Sequence, residues 1–377
     1  MIGVLAAQIT VLHLLNHTAG LDWRLVVDTG EGDDALAAYV GKLAESKPIA
    51  SPGTRASYSQ IGYNLAGRII ENVTHLTYER AIASLVLEPL GLSHSLFARD
   101  DIMTRRFAVG HNPDDDGTLD VAHPWRHFRA DNPGAGLASS VADQIRWARF
   151  HLGDDHVANH TSVLPTELRR QMQEPTVTLR SSTLGDAIGL SWFLRDVGGV
   201  RTVAHGGSAN GQFAELLLVP ARNFAVVVLS NAYPNGIQCN QTVVRWALET
   251  YIGVVDREAE PIPYDERRAR EIAGRYENDA MQLVIRMHGA QLTLEVGIKA
   301  EIRAAAATEL PPDYPPADIG LLPGSGDEFI VTSGGLNGQR GFFTRDTRGI
   351  IMGVDLAGRL FHRTLAESRT PGGSSRE

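Results

Sequence analysis

Along the first 250 residues most apolar positions recur at helical spacing, and past Gly198 the period shortens. Residues 9–21 (ITVLHLLNHTAGL) predict a short helix with Val11, Leu14 and Leu15 inward, ended by Gly20. From Ile61 to Asn72, Leu65, Ile69 and the flanking Ala66 and Ile70 recur at i, i+4 and i+8, which predicts a helix with one buried stripe. A further helix is expected from Tyr78 to Glu88, stopped at Pro89-Leu90-Gly91 with Gly91 as its C-terminal cap. Residues 111–135 are rich in Pro, Asp and His and read as a long surface loop. The stretch 133–153 then gives a Gly-rich turn, an N-cap at Ser139 or Ser140, and a helix carrying Ile145, Ala148 and Phe150.

From Gly198 onward, Val200–Ala204, Phe213–Val219 and Phe224–Ser230 are short apolar, β-branched runs separated by turns, the pattern of an antiparallel meander. The unbroken run Val226 to Leu229 predicts a central strand buried on both faces. Residues 237–252 then form a helix able to cover one face of the sheet. Pro261-Ile262-Pro263 marks a linker, placed at 256–264. Beyond it, 282–287, 291–298, 328–332, 341–345, 350–355 and 359–364 read as strands of a small all-β unit. The expected organisation is a unit over 1–255, a β-barrel-like unit over 265–365 and a disordered tail over 366–377. The fold class is α/β (α+β), an antiparallel sheet with flanking helices and a helical subdomain.

Composition narrows the function. Of 377 residues 43% are hydrophobic and 21% charged, as in an ordinary globular protein. A net charge of −9 with no basic run disfavours nucleic-acid binding. Cys239 is the sole cysteine, so no intrachain disulfide can form. The start, Met1-Ile2-Gly3-Val4-Leu5, lacks the positive segment of a signal peptide and is interrupted by Gln8, His13 and Asn16. No run approaches the roughly 20 apolar residues of a membrane span, and the chain as given reads as cytoplasmic, any leader lying ahead of Met1. Nothing here points to a cofactor, and nothing fixes an oligomeric state.

The chemistry sits in two separated motifs. Ser57-Tyr58-Ser59-Gln60 runs into the first long helix, and Ala204-His205-Gly206-Gly207-Ser208 closes an apolar strand and opens a Gly-containing turn. With their flanks (HLLNHTAGL, YSQIGYNLAGRII, EPLGL, HGGSANGQF and VVVLSNA) they resemble the serine β-lactamase and penicillin-binding-protein superfamily, in its class C-like, peptidase and esterase branch. The resemblance covers roughly residues 9–252 and implies that branch's sheet-and-helix fold, with the C-terminal unit similar to the β-barrels fused behind such domains. The superfamily signature combines Ser-x-x-Lys, a second motif and a Lys-Thr-Gly-type third motif. The chain has three lysines, Lys42, Lys47 and Lys299, and the residues three before them are Tyr39, Ala44 and Val296, so no Ser-x-x-Lys exists in it. In the family that helix lies tens of residues before the HLLNHTAGL-like stretch, which suggests that the chain begins late.

The resemblance implies that Tyr58 shuttles a proton, that His205 takes the place often held by lysine, that Gly207 gives close approach, and that the Ser208 N–H is an oxyanion donor. Gln60 stands where asparagine is usual, one methylene longer. Weighed alone, Tyr58 or His205 reads as a packing residue; jointly, in matching flanks, they carry the assignment. His13 and His17, read as one helix face at i, i+4, lack a third ligand for a metal, and His151, His156 and His160 read as solvated. Ser57 and Ser59 have no lysine beside them and make poor substitute nucleophiles. Gly91-Leu92-Ser93-His94-Ser95 misses the nucleophile-elbow pattern at its last position. The expectation is a serine hydrolase for a D-amino-acid peptide, an ester or a β-lactam, inactive as given; the alternative is a non-catalytic binding protein that keeps the substrate cleft.

Overall fold

A computed structural model of the chain describes residues 6–114, 116–123, 128–154, 163–305, 310, 312–324 and 326–364. A two-stranded hairpin, β1 (His111–Pro113) and β2 (Leu119–Val121), lies in the segment that reads as a loop. A six-stranded antiparallel sheet follows, ordered β3 (Val177–Ser182), β4 (Gly185–Ile188), β5 (Phe193–Val197), β6 (Val200–Ala209), β7 (Gln212–Val219) and β8 (Phe224–Ser230). The Val141–His151 helix packs on one face with Ala148 against Leu194, Val203, Leu216 and Leu218; the Gly236–Ile252 helix covers the other through Val244 and Leu248 against Leu217 and Val219. The remaining helices gather around residues 11–103, so the α/β arrangement with a helical subdomain is present.

Eight further strands close a barrel: β9 (Gly274–Glu277), β10 (Met281–His288), β11 (Gln291–Ile298), β12 (Tyr314–Leu321), β13 (Glu328–Val331), β14 (Arg340–Arg345), β15 (Ile351–Leu356) and β16 (Arg359–Arg363), with β16 pairing back to β9. Closure removes the unpaired edges an open sheet would present. Burial alternates along strands such as β11 and β14, β13 and β15 are buried almost throughout, and Tyr276, Leu283, Phe329, Phe343 and Val354 are fully buried. Ala269 and Ile272 of the Glu266–Ile272 helix add to the same core.

Several expectations fail for identifiable reasons. The helix from Gln60 to Thr74 buries Ile61, Gly62, Asn64, Gly67 and Glu71 rather than the Leu65–Ile69 stripe, and Ile69 is exposed. Its inner face is small and polar because it lies against the Asn132–Ala135 turn: a Cβ on Gly67 would sit 2.3 Å from Pro133 Cγ. Asn64 Nδ2 donates to Asp131 Oδ1 at 3.0 Å, so the segment read as surface loop is partly core. Strands β3 to β5 go unforeseen because Val177–Ser182 alternates only weakly and β4 is four residues long. Strand β8 is not central but, among the described residues, the edge of the sheet; its apolar run is half-covered by helices on both faces. The first helix ends at Leu15, with Val11 exposed and Leu14 buried. Gly91 does cap its helix, in the left-handed region at φ 64°, and Ser140 caps the Val141–His151 helix by accepting the Asp143 N–H. The tail at 366–377 lies outside the described residues, and so do His156 and His160.

The barrel docks on the sheet's β3 edge and on the loop before the Gln60 helix. Thr183 Oγ1 donates to the Arg340 carbonyl and accepts the Arg340 N–H at 2.7 Å. The Tyr58 N–H donates to the Gly358 carbonyl at 2.7 Å, and the Asp279 N–H donates to Asp22 Oδ2 at 3.1 Å.

Candidate active site

Tyr58 stands two residues ahead of the Gln60 helix, next to its N-cap. Ser59 is that helix's N-cap: its hydroxyl accepts the Gly62 N–H and donates to the Asp22 carbonyl, which leaves it no freedom to attack a substrate. The extended backbone at the cap turns the Tyr58 ring across to β6, where its centroid lies 6.4 Å from that of His205. The two motifs, 147 positions apart in sequence, thus meet at one place.

Strand β6 does not end at the glycines, as its sequence suggests, but continues to Ala209. Its register decides where the backbone groups point. The two-residue turn Asn210-Gly211 makes Ala209 and Gln212 a hydrogen-bonded pair, and the pairs Gly207–Ala214, His205–Leu216 and Val203–Leu218 follow by alternation. The N–H and C=O of Gly206 and Ser208 therefore point away from β7. On that other side β5 stops opposite Ala204, at Phe193. Gly206 and Ser208 present their backbone groups to an open edge beside Tyr58. Gly207 and Ser208 are exposed, and a Cβ on Gly207 would meet only Ala214 Cβ, at 3.7 Å. The space over this glycine faces the cleft and not the chain's own packing.

Three groups here escape inspection of the sequence. His17 follows the first helix in the left-handed region (φ 60°) and stacks 4.5 Å from Tyr58 and 5.2 Å from Tyr63. It does not share a helix face with His13, whose Nδ1 instead accepts the Thr10 N–H. The Ser59 N–H donates to His17 Nδ1, and His17 Nε2 is buried without a partner. Burial, with the nearby charges of His205 and Arg359, pushes its pKa down to about 3, so it is a neutral ring. Arg359 arrives from the barrel, its guanidinium 4.9 Å over the Tyr58 ring and 5.0 Å over Trp23. Glu215, directly opposite Gly206 on β7, projects to the face of the sheet away from His205, and burial raises its pKa to about 7.

Electrostatics assign the states of the two central rings. Desolvation lowers the His205 pKa against the opposing pull of the Gly206 carbonyl, which Nδ1 contacts at 2.7 Å. A carbonyl accepts only, so Nδ1 carries the proton and Nε2 keeps a lone pair for the cleft. Desolvation raises the Tyr58 pKa and Arg359 opposes it, so Tyr58 is a neutral phenol at neutral pH. Passing the Tyr58 proton to His205 Nε2 makes a phenolate and an imidazolium, and the Arg359 guanidinium over the Tyr58 ring lowers the cost of the phenolate. Gln60 does not join them: among the described residues none of the ring or hydrogen-bond contacts of Tyr58 and His205 involves it, and its Oε1 is buried without a partner. Ser208 lies within hydrogen-bond reach of the Tyr314 side chain of the barrel.

Other candidates fall away. His151 is not solvated but caged by Trp147 at 4.3 Å and Trp192 at 5.0 Å. Among the described residues no group of three His, Cys, Asp or Glu side chains could hold a metal ion, and no helix is long and apolar enough to cross a membrane.

Known proteins echo this architecture. The structure of SurE superposes over 96% of this chain and 80% of its own, at a TM-score of 0.69 and 23% identity. The octameric penicillin-binding protein homologue from Pyrococcus abyssi covers 94% of this chain and 77% of its own, at 0.58 and 22% identity. In sequence, penicillin-binding protein 4 of Amycolatopsis lactamdurans is 31% identical over 229 residues, 60% of either chain. Protein flp of Staphylococcus aureus (strain COL) is 27% identical over 233 residues, 59% of this chain and 43% of its own. The chain thus spans at most about 60% of the length of these curated relatives. The Beta-lactamase family model matches residues 3–244, well over half of the length, and the chain belongs to that family.

Proposed function

We propose that the cleft between Tyr58 and the open edge of β6 is the acyl-transfer site of a serine hydrolase acting on a D-amino-acid peptide, a small ester or a β-lactam. The observation that carries this reading is the register of β6, which turns the Ser208 N–H to the side of the strand where Tyr58 lies. In that reading the substrate lies along Gly206–Ser208 as an added strand, and the Ser208 N–H donates to the carbonyl oxygen as it becomes an oxyanion. Gly207 leaves room for the acyl group. Tyr58 passes the nucleophile's proton to the leaving amine or alcohol, with His205 Nε2 as the adjacent acceptor. Arg359, a buried cation beside Tyr58, favours substrates with a carboxylate next to the scissile bond.

Residues 1–377 contain no Ser-x-x-Lys, and among the described residues no serine side chain is hydrogen-bonded to Tyr58 or His205. We infer that these residues alone give no serine-dependent hydrolysis, since the remaining groups have no covalent step to assist. The test is to assay a chromogenic cephalosporin, a p-nitrophenyl ester and a D-alanyl dipeptide with this chain and with one extended N-terminally by a Ser-x-x-Lys segment. Hydrolysis only in the extended form supports the reading. Hydrolysis by residues 1–377 that a serine-directed acylating agent blocks would overturn the inactivity. Saturable substrate binding with no turnover in either form would favour a binding protein that keeps the cleft.

A further inference from the structure

The segment that carries Tyr58 belongs to no helix or strand: the backbone of residues 55–59 is held by single hydrogen bonds to other parts of the chain. The Ser57 N–H donates to the His17 carbonyl at 2.9 Å, the Tyr58 N–H to the Gly358 carbonyl at 2.7 Å, and the Ser59 N–H to His17 Nδ1 at 3.1 Å. The last two lie in the peptide planes on either side of the Tyr58 Cα. Because each peptide is planar, holding both planes holds φ and ψ of Tyr58, and with them the direction of its Cα–Cβ bond. The barrel holds one plane and the His17 ring holds the other.

His17 keeps this place at a cost. It is a buried, non-glycine residue in the left-handed region, at φ 60°. A neutral imidazole whose Nδ1 accepts carries its proton on Nε2, and here that N–H is buried without an acceptor. An apolar ring would avoid the orphaned donor, but it could not take the N–H of Ser59, which is itself buried at the head of the helix. The imidazole also fills space. Its centroid lies 4.5 Å from that of Tyr58, 5.2 Å from Tyr63 and 6.2 Å from Phe193, the residue at which β5 stops. A left-handed backbone and an unsatisfied donor kept together beside a cleft point to function and not to packing.

We propose that His17 is the positioning residue of the cleft: by accepting the Ser59 N–H and lying against the phenol, it keeps the Tyr58 ring turned toward His205. It acts through Tyr58 and not on the substrate. The inference rests on the reading of Tyr58 as the proton carrier of acyl transfer. Without Nδ1 the Ser59 N–H loses its acceptor, the 58–59 peptide plane turns to find another, and the Tyr58 ring swings with it. Asparagine is the nearest replacement, because its Oδ1 can accept the same N–H and it tolerates the left-handed backbone.

Labelling residues 1–377 with 3-fluorotyrosine gives a direct reading, the Tyr58 fluorine resonance being the one lost in Tyr58→Phe. His17→Gly relieves the backbone and removes the acceptor. It is expected to move that resonance toward the position of the exposed Tyr251, and to lower the pH at which the Tyr58 phenol titrates, since a freed ring meets water. His17→Asn is expected to restore most of both. In a form extended by a Ser-x-x-Lys segment, His17→Gly should lower kcat by about tenfold or more with KM little changed, and His17→Asn should recover most of the loss. If His17→Gly leaves the resonance and the titration at their wild-type positions and lowers only the urea midpoint, His17 serves the fold alone and the proposal is overturned. A loss confined to KM overturns it too. If the extended form with His17 intact hydrolyses nothing, the acyl-transfer reading fails, and the fluorine resonance still decides whether His17 places Tyr58. Should His17→Gly not fold, His17→Phe decides, because it keeps a ring and drops the acceptor: a Tyr58 resonance at the wild-type position sinks the assignment.

Discussion

The barrel's Asp327 network and the sheet with its barrel junction handle charge in opposite ways. In the barrel, Arg345 and Arg268 converge on Asp327 at 2.7 and 2.9 Å, and both also pair with Glu271, so each charge brought near the core is answered by another. The hydrogen bonds of Arg345 and Arg268 hold the Asp327 carboxyl below its ordinary range even against its burial. In the sheet and at its junction with the barrel the reverse holds. His17 keeps an unpartnered nitrogen, Glu215 is raised to about 7 by burial alone, and Asp355 is raised to about 6 by burial that Arg55 only partly offsets. Saturated networks resist a change of protonation, whereas lone groups shift with each change around them. The contrast marks which β-structure serves as support and which is poised to respond.

The largest effect should come from opening the saturated network. Arg345→Ala leaves Asp327 short of its principal partner and should lower stability by about 3 kcal/mol, read as a fall in the urea midpoint. An unchanged midpoint would mean the network is ornamental and the contrast false. Next, Gly67→Val forces a side chain into Pro133 and should cost roughly 1–3 kcal/mol by the same measurement.

The pH response should come from Glu215 in the sheet and Asp355 where the barrel docks, and not from the Asp327 network. Glu215 and Asp355 have folded pKa values above their ordinary ones, so the folded state binds protons that the unfolded state has released. Their contribution is fully present below about pH 4 and is lost as pH rises through about 6 for Asp355 and about 7 for Glu215. Stability should therefore fall between pH 5 and 8, by an amount on the order of 2 kcal/mol, and Glu215→Gln should flatten the slope. A slope that Glu215→Gln leaves intact would assign the protons elsewhere. The smallest effect is expected at Gly207. Gly207→Val should shift the midpoint by less than about 0.5 kcal/mol, because the added atoms point into the cleft, while abolishing ligand binding there. A collapse in stability would show that this glycine serves the fold.

Much of this was legible in the sequence, for reasons that differ by element. Tyr58 and His205 could be paired because each sits in a long string of flanking residues, and the barrel's strands at 282–298 and 328–363 alternate clearly enough to read. Strand β12 was hidden by Pro315 and Pro316, which read as a loop, and β9 by its length of four residues. Arg359 could not be found from spacing, because what matters is that the turn before it docks beside Tyr58, a tertiary fact. His17 was legible only as a letter in a matching string and as a metal-pair candidate with His13. Its use depends on a left-handed backbone at the helix end, which swings it away from His13. Gln60 shows the converse, a position matched by motif whose buried Oε1 meets neither Tyr58 nor His205.

The Asn210-Gly211 turn has one more consequence. A β-ladder alternates with a period of two, so the length of this turn sets a parity for the whole strand. One added residue would swap the two sets of amides along β6, aiming those of Gly207 and His205 outward and those of Ser208 and Gly206 into the sheet. A change of two residues would restore the original aim. Loop length at a surface hairpin, ordinarily among the most permissive variables in a protein, would here be permissive only in even steps.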